Sequence, residues 1–299
     1  MVEQQHQSER VAGWLFVSPA LLGLLCFVLL PFLLAAVLSF TNLRLGSPLA
    51  TQFFGLTQYQ RIFTDSAFLH ALLNNTLFAL IVVPVQTGLA LLLALLINQP
   101  LRGKVVFRTL FFLPVVFPLS LVAVVWILLF APGSNGTLNS LLEVLTLGHW
   151  QARDFLHDPQ WALPAITLTS IWQGVGFQMI ILLAALQAIP AELYEAAKVD
   201  GAKHWQQLVH VTLPQLRNAL IFVILVTTIL AFRLFDQVQI MTQGGPLNAT
   251  TSVMYEAVNA AFASQQVARG AAMTVVFFIV VLLLTLLQRY VLKHEKEIE

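Results

Sequence analysis

Charge is what this chain has least of. Of its 299 residues only 10% are Asp, Glu, Lys or Arg, against about 25% in an ordinary soluble domain. Fifteen basic and fourteen acidic side chains leave a formal net charge of +1, so there is no basic field for a nucleic acid. Cysteine is nearly absent: Cys26 stands alone in an apolar run, which excludes a disulfide framework and a thiolate metal site. No acidic residue occurs between Asp65 and Glu143, and a proton- or sodium-coupled carrier ordinarily keeps an intramembrane carboxylate as its relay. The nearest approach to a phosphate-binding loop is Gly103-Lys104, but Asn98 takes the place of the first glycine and Val105 follows the lysine. There is no H-E-x-x-H helix and no Ser/His/Asp set in a recognisable context, and His204 and His210 share a connection without ligand spacing.

What is present is apolar. Hydrophobic residues make up 58% of the chain and the mean hydropathy is +0.82, too much for one globular core to hide. A spanning helix needs about 20 mostly apolar residues, and six stretches qualify: 14–40, 76–97, 109–130, 163–189, 219–235 and 270–288. Their runs are continuous rather than alternating, which predicts helices and not a barrel. The first is too long for a signal-peptide core and is preceded by Glu9 and Arg10, so it reads as a retained span. The whole chain, 1–299, reads as a single all-α integral membrane domain.

Orientation follows from the basic residues of the connections. One side collects Arg10, Arg102, Lys104, Arg108, Lys198, Lys203, Arg217, Arg289, Lys293 and Lys296, whereas the other has Arg44, Arg61 and Arg153. Both termini are therefore expected in the cytoplasm. Pro19, Pro31, Pro84, Pro114 and Pro118 punctuate the spans, and each removes a backbone donor and tends to kink its helix. Pro114 and Pro118, one turn apart, are the expected site of a bend. In the fifth span Arg233 lies three residues before Asp236, which predicts a shared helical face. The pair reads either as mutual neutralisation at the membrane edge or as an outer gate or partner contact.

The fourth connection, 190–214, carries the most specific signal. Pro190 can open a helix because it lacks only a donor that would be unpaired anyway. Glu192 and Glu195 sit in the early turns, toward the positive end of the dipole. Asp200-Gly201 reads as a turn, with glycine able to take the left-handed conformation that ends a helix. A second helix over 202–211 follows, and Pro214 is expected to start the return to the membrane. Leu193, Ala196 and Ala197 form a small apolar face that needs a partner.

Glu195-Ala196-Ala197, then three residues, Gly201, nine more residues and Val211-Thr212-Leu213-Pro214 together resemble the EAA loop of binding-protein-dependent ABC transporter permeases; Val211 stands where the family has Ile. The resemblance extends along the chain through Asn74-Asn75-Thr76, Phe112-Leu113-Pro114 with Pro118 and Trp126, Leu186-Gln187-Ala188-Ile189-Pro190, and Phe235-Asp236 followed by Thr242-Gln243-Gly244-Gly245-Pro246. It points to the carbohydrate-uptake branch. Ser18-Pro19-Ala20 and Leu30-Pro31 are similar to the first of its two permeases, the maltose-transporter type, although the large periplasmic insertion of that subunit is missing here.

The resemblance implies a type I ABC importer permease fold with six transmembrane helices in a bacterial inner membrane. It implies a second permease subunit, two ATPase subunits and an external solute-binding protein as partners, besides membrane lipid. ATP and magnesium would sit on the ATPase subunits, leaving this chain no cofactor, no metal and no bond chemistry. Glu195, Ala196, Ala197, Asp200, Gly201, Leu213 and Pro214 would form the ATPase-coupling loop. Trp172, Gln173 and Gln178 in the fourth span, flanking Gly174 and Gly176, read either as packing or as a substrate path, because mid-membrane polar groups tend to face an interior route. Thr227 and Thr228 are weaker candidates, since their hydroxyls can bond their own helix. Gly244, Gly245 and Pro246 form an expected turn at the outer mouth, in reach of the binding protein. The rival readings are a secondary transporter or channel driven by an ion gradient, and an ABC permease for a non-sugar solute such as glycerol phosphate.

Overall fold

The computed structural model of the protein describes residues 2–100, 102–134 and 136–294; Lys296, counted above among the basic residues, lies outside them. Among the described residues the structure is helical, with one isolated antiparallel bridge between Thr41 and Phe53. Helix α1 (Val2–Leu24) continues through a π-turn at Leu25–Leu29 into α2 (Leu30–Leu38). Then come α3 (Thr57–Thr64), α4 (Ser66–Asn98), α5 (Lys104–Val116), α6 (Leu119–Leu129), α7 (Thr137–Leu145), α8 (Ala162–Gln187), α9 (Ala191–Val199) and α10 (His204–Gln207). A π-turn at Leu208–Thr212 joins α10 to α11 (Leu213–Phe232), and α12 (Val253–Val258) and α13 (Val267–His294) complete the order.

Among the described residues five helical stretches are long and apolar enough to cross a membrane: Gly13–Leu38, Ser66–Asn98, Ala162–Gln187, His204–Phe232 and Val267–Val291. The third expected span is not one straight run. It is divided into α5 and α6, bent by 102°. Proline chemistry is the cause. A residue before proline is pushed out of the helical region, and Phe117 is extended at φ −80° and ψ 139°, while Pro118 caps α6 at φ −55° and ψ 139°. The fifth expected span differs in the other direction. It begins at His204, so the second helix of the hairpin and the span are one continuous rod, and Pro214 does not break it.

The two π-turns near prolines have one explanation. A proline ring in a helix clashes with the carbonyl four residues back. Immediately before Pro31, the Leu30 N–H bonds to Leu25 O; immediately before Pro214, the Leu213 N–H bonds to Leu208 O. Widening that turn by one residue shifts the carbonyls the ring would meet, so each helix passes its proline without stopping.

By packing, the chain divides into two units, residues 1–65 with 257–278 and residues 66–256 with 279–299. In the first, the Leu45 N–H bonds to Gln265 O at 2.9 Å and the Ala268 N–H to Leu43 O at 3.1 Å, and Arg269 pairs with Asp65. Gly270 permits close approach there: a Cβ on it would stand 2.6 Å from Ala257 O.

In the second unit the core is a seam of α4, α8 and α11, with Ala90 and Ala94 against Met179, Leu182 and Leu183, and Leu216 and Val223 closing it. The alanines on α4 let α8 approach closely, which is how helices associate where lipid removes the hydrophobic incentive. Gly176 on α8 does the same for α5, since a Cβ there would lie 2.0 Å from Phe111 O. Polar ties span the helices: Gln288 donates to Thr228 Oγ1 at 3.0 Å, and Asn75 donates to Phe232 O at 3.2 Å.

Candidate translocation cavity and coupling hairpin

The hairpin after α8 is built by its sequence. Helix α9 ends in a Schellman turn: the Ala202 N–H bonds to Ala197 O at 2.8 Å and the Gly201 N–H to Lys198 O at 3.0 Å, with Gly201 at φ +79°. The motif satisfies carbonyls that a helix end leaves bare. The next helix starts with Lys203, whose N–H is accepted by Gln206 Oε1 at 2.8 Å. Gln207 reaches back to Ala202 O at 2.9 Å, and the Tyr194 hydroxyl shares a hydrogen bond with Thr212 Oγ1 at 3.1 Å. The two arms are thus locked at a fixed angle. Glu195, Ala196, Asp200, Gly201 and Pro214 are exposed, while Ala197 and Leu213 are half-buried. Val199 and Trp205 are large apolar side chains left bare on the same hairpin. Tyr194 belongs to the Glu192-Leu193-Tyr194 stretch that resembles the carbohydrate-uptake branch, whereas Gln207 and Trp205 were missed; a tryptophan on a connecting hairpin was the available signal.

Inside the second unit lies a cavity of about 370 Å3. Helix α8 lines it with Ser170, Gln173, Gly174, Phe177, Gln178 and Ile181, a spacing of three and four residues that places them on one face. Gln86 of α4, Thr227 of α11 and Gln237 beyond it add to the polar lining. Gln178 donates its amide to Thr227 Oγ1, and Gln237 donates to Ser170 Oγ at 2.9 Å. The acceptor Gln178 Oε1 is buried and has no hydrogen-bond partner. Gly174 yields space to Gln86: a Cβ on it would stand 2.4 Å from Gln86 Nε2. Lone glutamines in apolar runs were the sequence signal for Gln86 and Gln237.

Trp172 is not among the lining residues. One position off the face of Gln173, it turns to Trp126, ring centroids 5.6 Å apart and edge to face. Arg233 and Asp236 both line the cavity, but they do not share a helical face. Helix α11 stops at Phe232 with Arg233 as its cap, and Asp236 opens the next helical turn; no ion pair joins the two among the described residues.

The segment 242–250 is a pinned turn. Asn74 donates to Asn248 O at 2.9 Å and to Thr251 O at 3.0 Å, and Asn75 Oδ1 accepts the Val253 N–H at 2.8 Å. Thr250 donates to Gly245 O at 2.7 Å. Gly244 is buried at φ +80°, where a Cβ would meet the Tyr255 ring at 2.9 Å. Gly245 and Pro246 are half-buried, so the exposed tip is Leu247 and Asn248. Burial raises the Tyr255 phenol above its ordinary range, and the neighbouring Glu256 charge adds to it.

A helical protein that has, among its described residues, five helices long and apolar enough to cross a membrane and a further bent apolar pair, a cavity with polar side chains in the wall of its second unit and an exposed hairpin is, by class, a solute permease. Comparison with known proteins makes this particular. The family model of binding-protein-dependent transport system inner membrane components matches residues 86–296. The probable ABC transporter permease YurN of Bacillus subtilis is 35% identical over 290 residues, spanning 96% of this chain and 98% of its own. The lactose transport system permease LacF of Rhizobium radiobacter is 34% identical over 291 residues, spanning 96% and 95%. A chain in the crystal structure of a bacterial alginate ABC transporter, in complex with an alginate pentasaccharide-bound periplasmic protein, has the same fold with a TM-score of 0.83 at 21% identity, covering 97% of this chain and 96% of that one. The chain belongs to the family of binding-protein-dependent transport system inner membrane components.

Proposed function

We propose that the chain is the permease through which an ATP-driven importer passes a sugar or sugar-like solute delivered by an external binding protein. The observation that carries the reading is the cavity. Its wall offers glutamine and hydroxyl groups that both donate and accept, the pattern a polyhydroxylated solute needs, and Gln178 Oε1 is an acceptor awaiting a donor. Leaving such a group unpaired is unfavourable, so a sugar hydroxyl in its place would be a gain. LacF is named for lactose, and the alginate transporter carries an oligosaccharide on its periplasmic protein.

In this reading the bent α5–α6 segment and α8 bound the route, and Arg233 and Asp236 stand at one end of it. The hairpin meets an ATPase subunit through Glu195, Ala196, Ala197, Asp200 and Gly201, with Leu213 and Pro214 leading its motion into α11. Because α10 and α11 are one rod, a displacement of the hairpin reaches Thr227 without an intervening joint. ATP and magnesium belong to two partner ATPase subunits, and a second permease completes the pore in a bacterial inner membrane. No bond is made or broken by this chain.

The test is reconstitution of the complete transporter with its cognate binding protein and identification of the ligand that copurifies. Gln173→Leu removes a lining amide without touching the Gln178–Thr227 bond. Loss of one hydrogen bond to solute, about 1.4 kcal/mol, lowers uptake about tenfold while basal ATP hydrolysis persists. Undiminished uptake by Gln173→Leu and Gln178→Leu would remove the cavity from the route, and a copurified ligand without hydroxyl groups would remove the sugar.

A further inference from the structure

We infer that α7 is an interfacial helix whose Leu141, Val144 and Leu145 are seated in the bilayer at the membrane–water boundary, anchoring the α6 half of the bent segment. This goes beyond the transport reading, which assigns α7 nothing.

The nine residues of α7 are Thr-Leu-Asn-Ser-Leu-Leu-Glu-Val-Leu. At about 100° per residue they divide into three sectors. Leu138, Asn139 and Leu142 turn into the protein. Ser140 and Glu143 form a polar edge. Leu141, Val144 and Leu145, spaced three and four apart, form an apolar sector that faces outward: Val144 is 73% and Leu145 68% exposed. A helix that places protein, water and an apolar medium on three separate sides has the pattern of one lying in an interface.

The helix cannot roll to hide these side chains. Asn139, 1% exposed, donates to Ala131 O at 3.3 Å and to Arg153 O at 2.9 Å. Its Oδ1 accepts Trp150 Nε1–H and the Arg153 N–H, both at 3.0 Å. The start of α7 is tied just as closely to the end of α6, since a Cβ on Gly136 would stand 2.0 Å from Ala131 O. Depth is set by the same neighbours. Leu121, Val124, Val125 and Leu128 make an outward apolar stripe on α6, and only seven residues, 130–136, separate the last turn of that helix from α7. On the protein side, Trp150 and Trp161 pack on Phe155 at 6.2 and 6.0 Å, with the Arg153 guanidinium 5.1 Å from the Trp161 ring centre. Tryptophan with a flanking cation is what a membrane boundary collects.

The occupant is lipid rather than a protein partner. A specific protein interface needs about 800 Å2 per side, with aromatic or arginine anchors at its centre. Three aliphatic side chains on a helix of under three turns supply neither, and they continue the apolar stripe of α6, one half of a bent apolar pair.

The experiment uses the complete transporter in lipid vesicles with Cys26→Ala, so that single nitroxide labels can be read at Glu143→Cys, Val144→Cys and Leu145→Cys. Oxygen concentrates in the bilayer and a nickel chelate stays in water. The labels at 144 and 145 are expected to relax with oxygen and to be protected from nickel, with the label at 143 reversed and the accessibility ratio differing about tenfold between them. Equal nickel access at all three positions would overturn the proposal, because the face would then be free in water. Protection from both reagents at 144 and 145 would overturn it as well, because a protein would then cover the face. The unsubstituted protein gives an independent reading: a lipid with a carbene-generating acyl chain should modify Leu141, Val144 or Leu145, and a peptide over 137–150 left unmodified counts against lipid contact.

Discussion

Gly201 shows how much of the hairpin proposed to meet the ATPase depends on single residues. It sits at φ +79° with nothing within 4 Å of where a Cβ would stand, so a substitution there meets backbone strain and no clash. Gly201→Val is expected to cost on the order of 1 kcal/mol or more, enough to reset the angle between the arms without unfolding a membrane helix. Gly201→Asn should be milder, because asparagine visits the left-handed region. The expected outcome is a permease made at normal level whose ATPase subunits no longer copurify with Gly201→Val, or copurify while hydrolysis ignores the sugar, with Gly201→Asn closer to the native protein. Equal, native-like coupling in both would mean the hairpin angle is not what transmits motion. Gly244 presents the harder case, since its φ of +80° is joined by a Tyr255 ring carbon 2.9 Å from a built Cβ. Gly244→Val should therefore displace the pinned turn outright, read as faster proteolysis or thiol labelling around Leu247.

Among elements, close approach decides more than sequence hydrophobicity does. In a helix, Gly→Ala alone stabilises by about 1 kcal/mol. Gly176→Ala should do the opposite, because its methyl would stand 2.0 Å from the Phe111 carbonyl and overpacking costs about 1–3 kcal/mol. Gly88→Ala, with nothing within 4 Å, is the matched control and should be neutral or mildly stabilising. Thermal inactivation of the assembled transporter in detergent distinguishes them; equal midpoints would mean α5 does not press on α8 as the geometry requires.

The spans at Gly13–Leu38, Ser66–Asn98 and Ala162–Gln187 were legible because a long apolar run has one stable answer in lipid. The Asp200-Gly201 turn was legible because its φ requirement is local. Where prolines occur the sequence is ambiguous, since the same residue gave a 102° bend at Pro118 and uninterrupted helices at Pro31 and Pro214. A π-turn precedes the ring at Pro31 and Pro214, whereas Pro19, Pro84 and Pro114 lie inside helices without one, and nothing in composition announces which course a helix takes. The lining face of α8 was half legible: Gln173 and Gln178 share the cavity face, but Trp172 required the roll of the helix, which packing fixes.

At the scale of the whole molecule the open question is whether α5 and α6 together cross the membrane or enter and return. The two helices have 13 and 11 residues, which at 1.5 Å per residue make segments of about 20 and 17 Å. Folded by 102°, neither alone nor end to end do they match a hydrocarbon core of about 30 Å in a straight line. Charge distinguishes the two arrangements. If the pair crosses, Arg102, Lys104 and Arg108 share a side with Lys198, Lys203 and Arg217, and the excess of basic residues falls on one face of the membrane, as cytoplasmic connections require. If the pair returns, those two clusters lie on opposite faces and the asymmetry largely disappears. Crossing is therefore expected, with the hairpin and both termini cytoplasmic. In intact cells with an outer envelope that admits the reagent, and with the exposed Cys26 replaced by alanine, Lys104→Cys and Lys203→Cys should resist an impermeant thiol reagent while Gln151→Cys reacts. Lys104 and Gln151 behaving alike, with Lys203 opposite to both, would show a re-entrant pair and an odd number of crossings; Lys104 and Lys203 reacting while Gln151 is protected would keep the crossing and reverse the orientation.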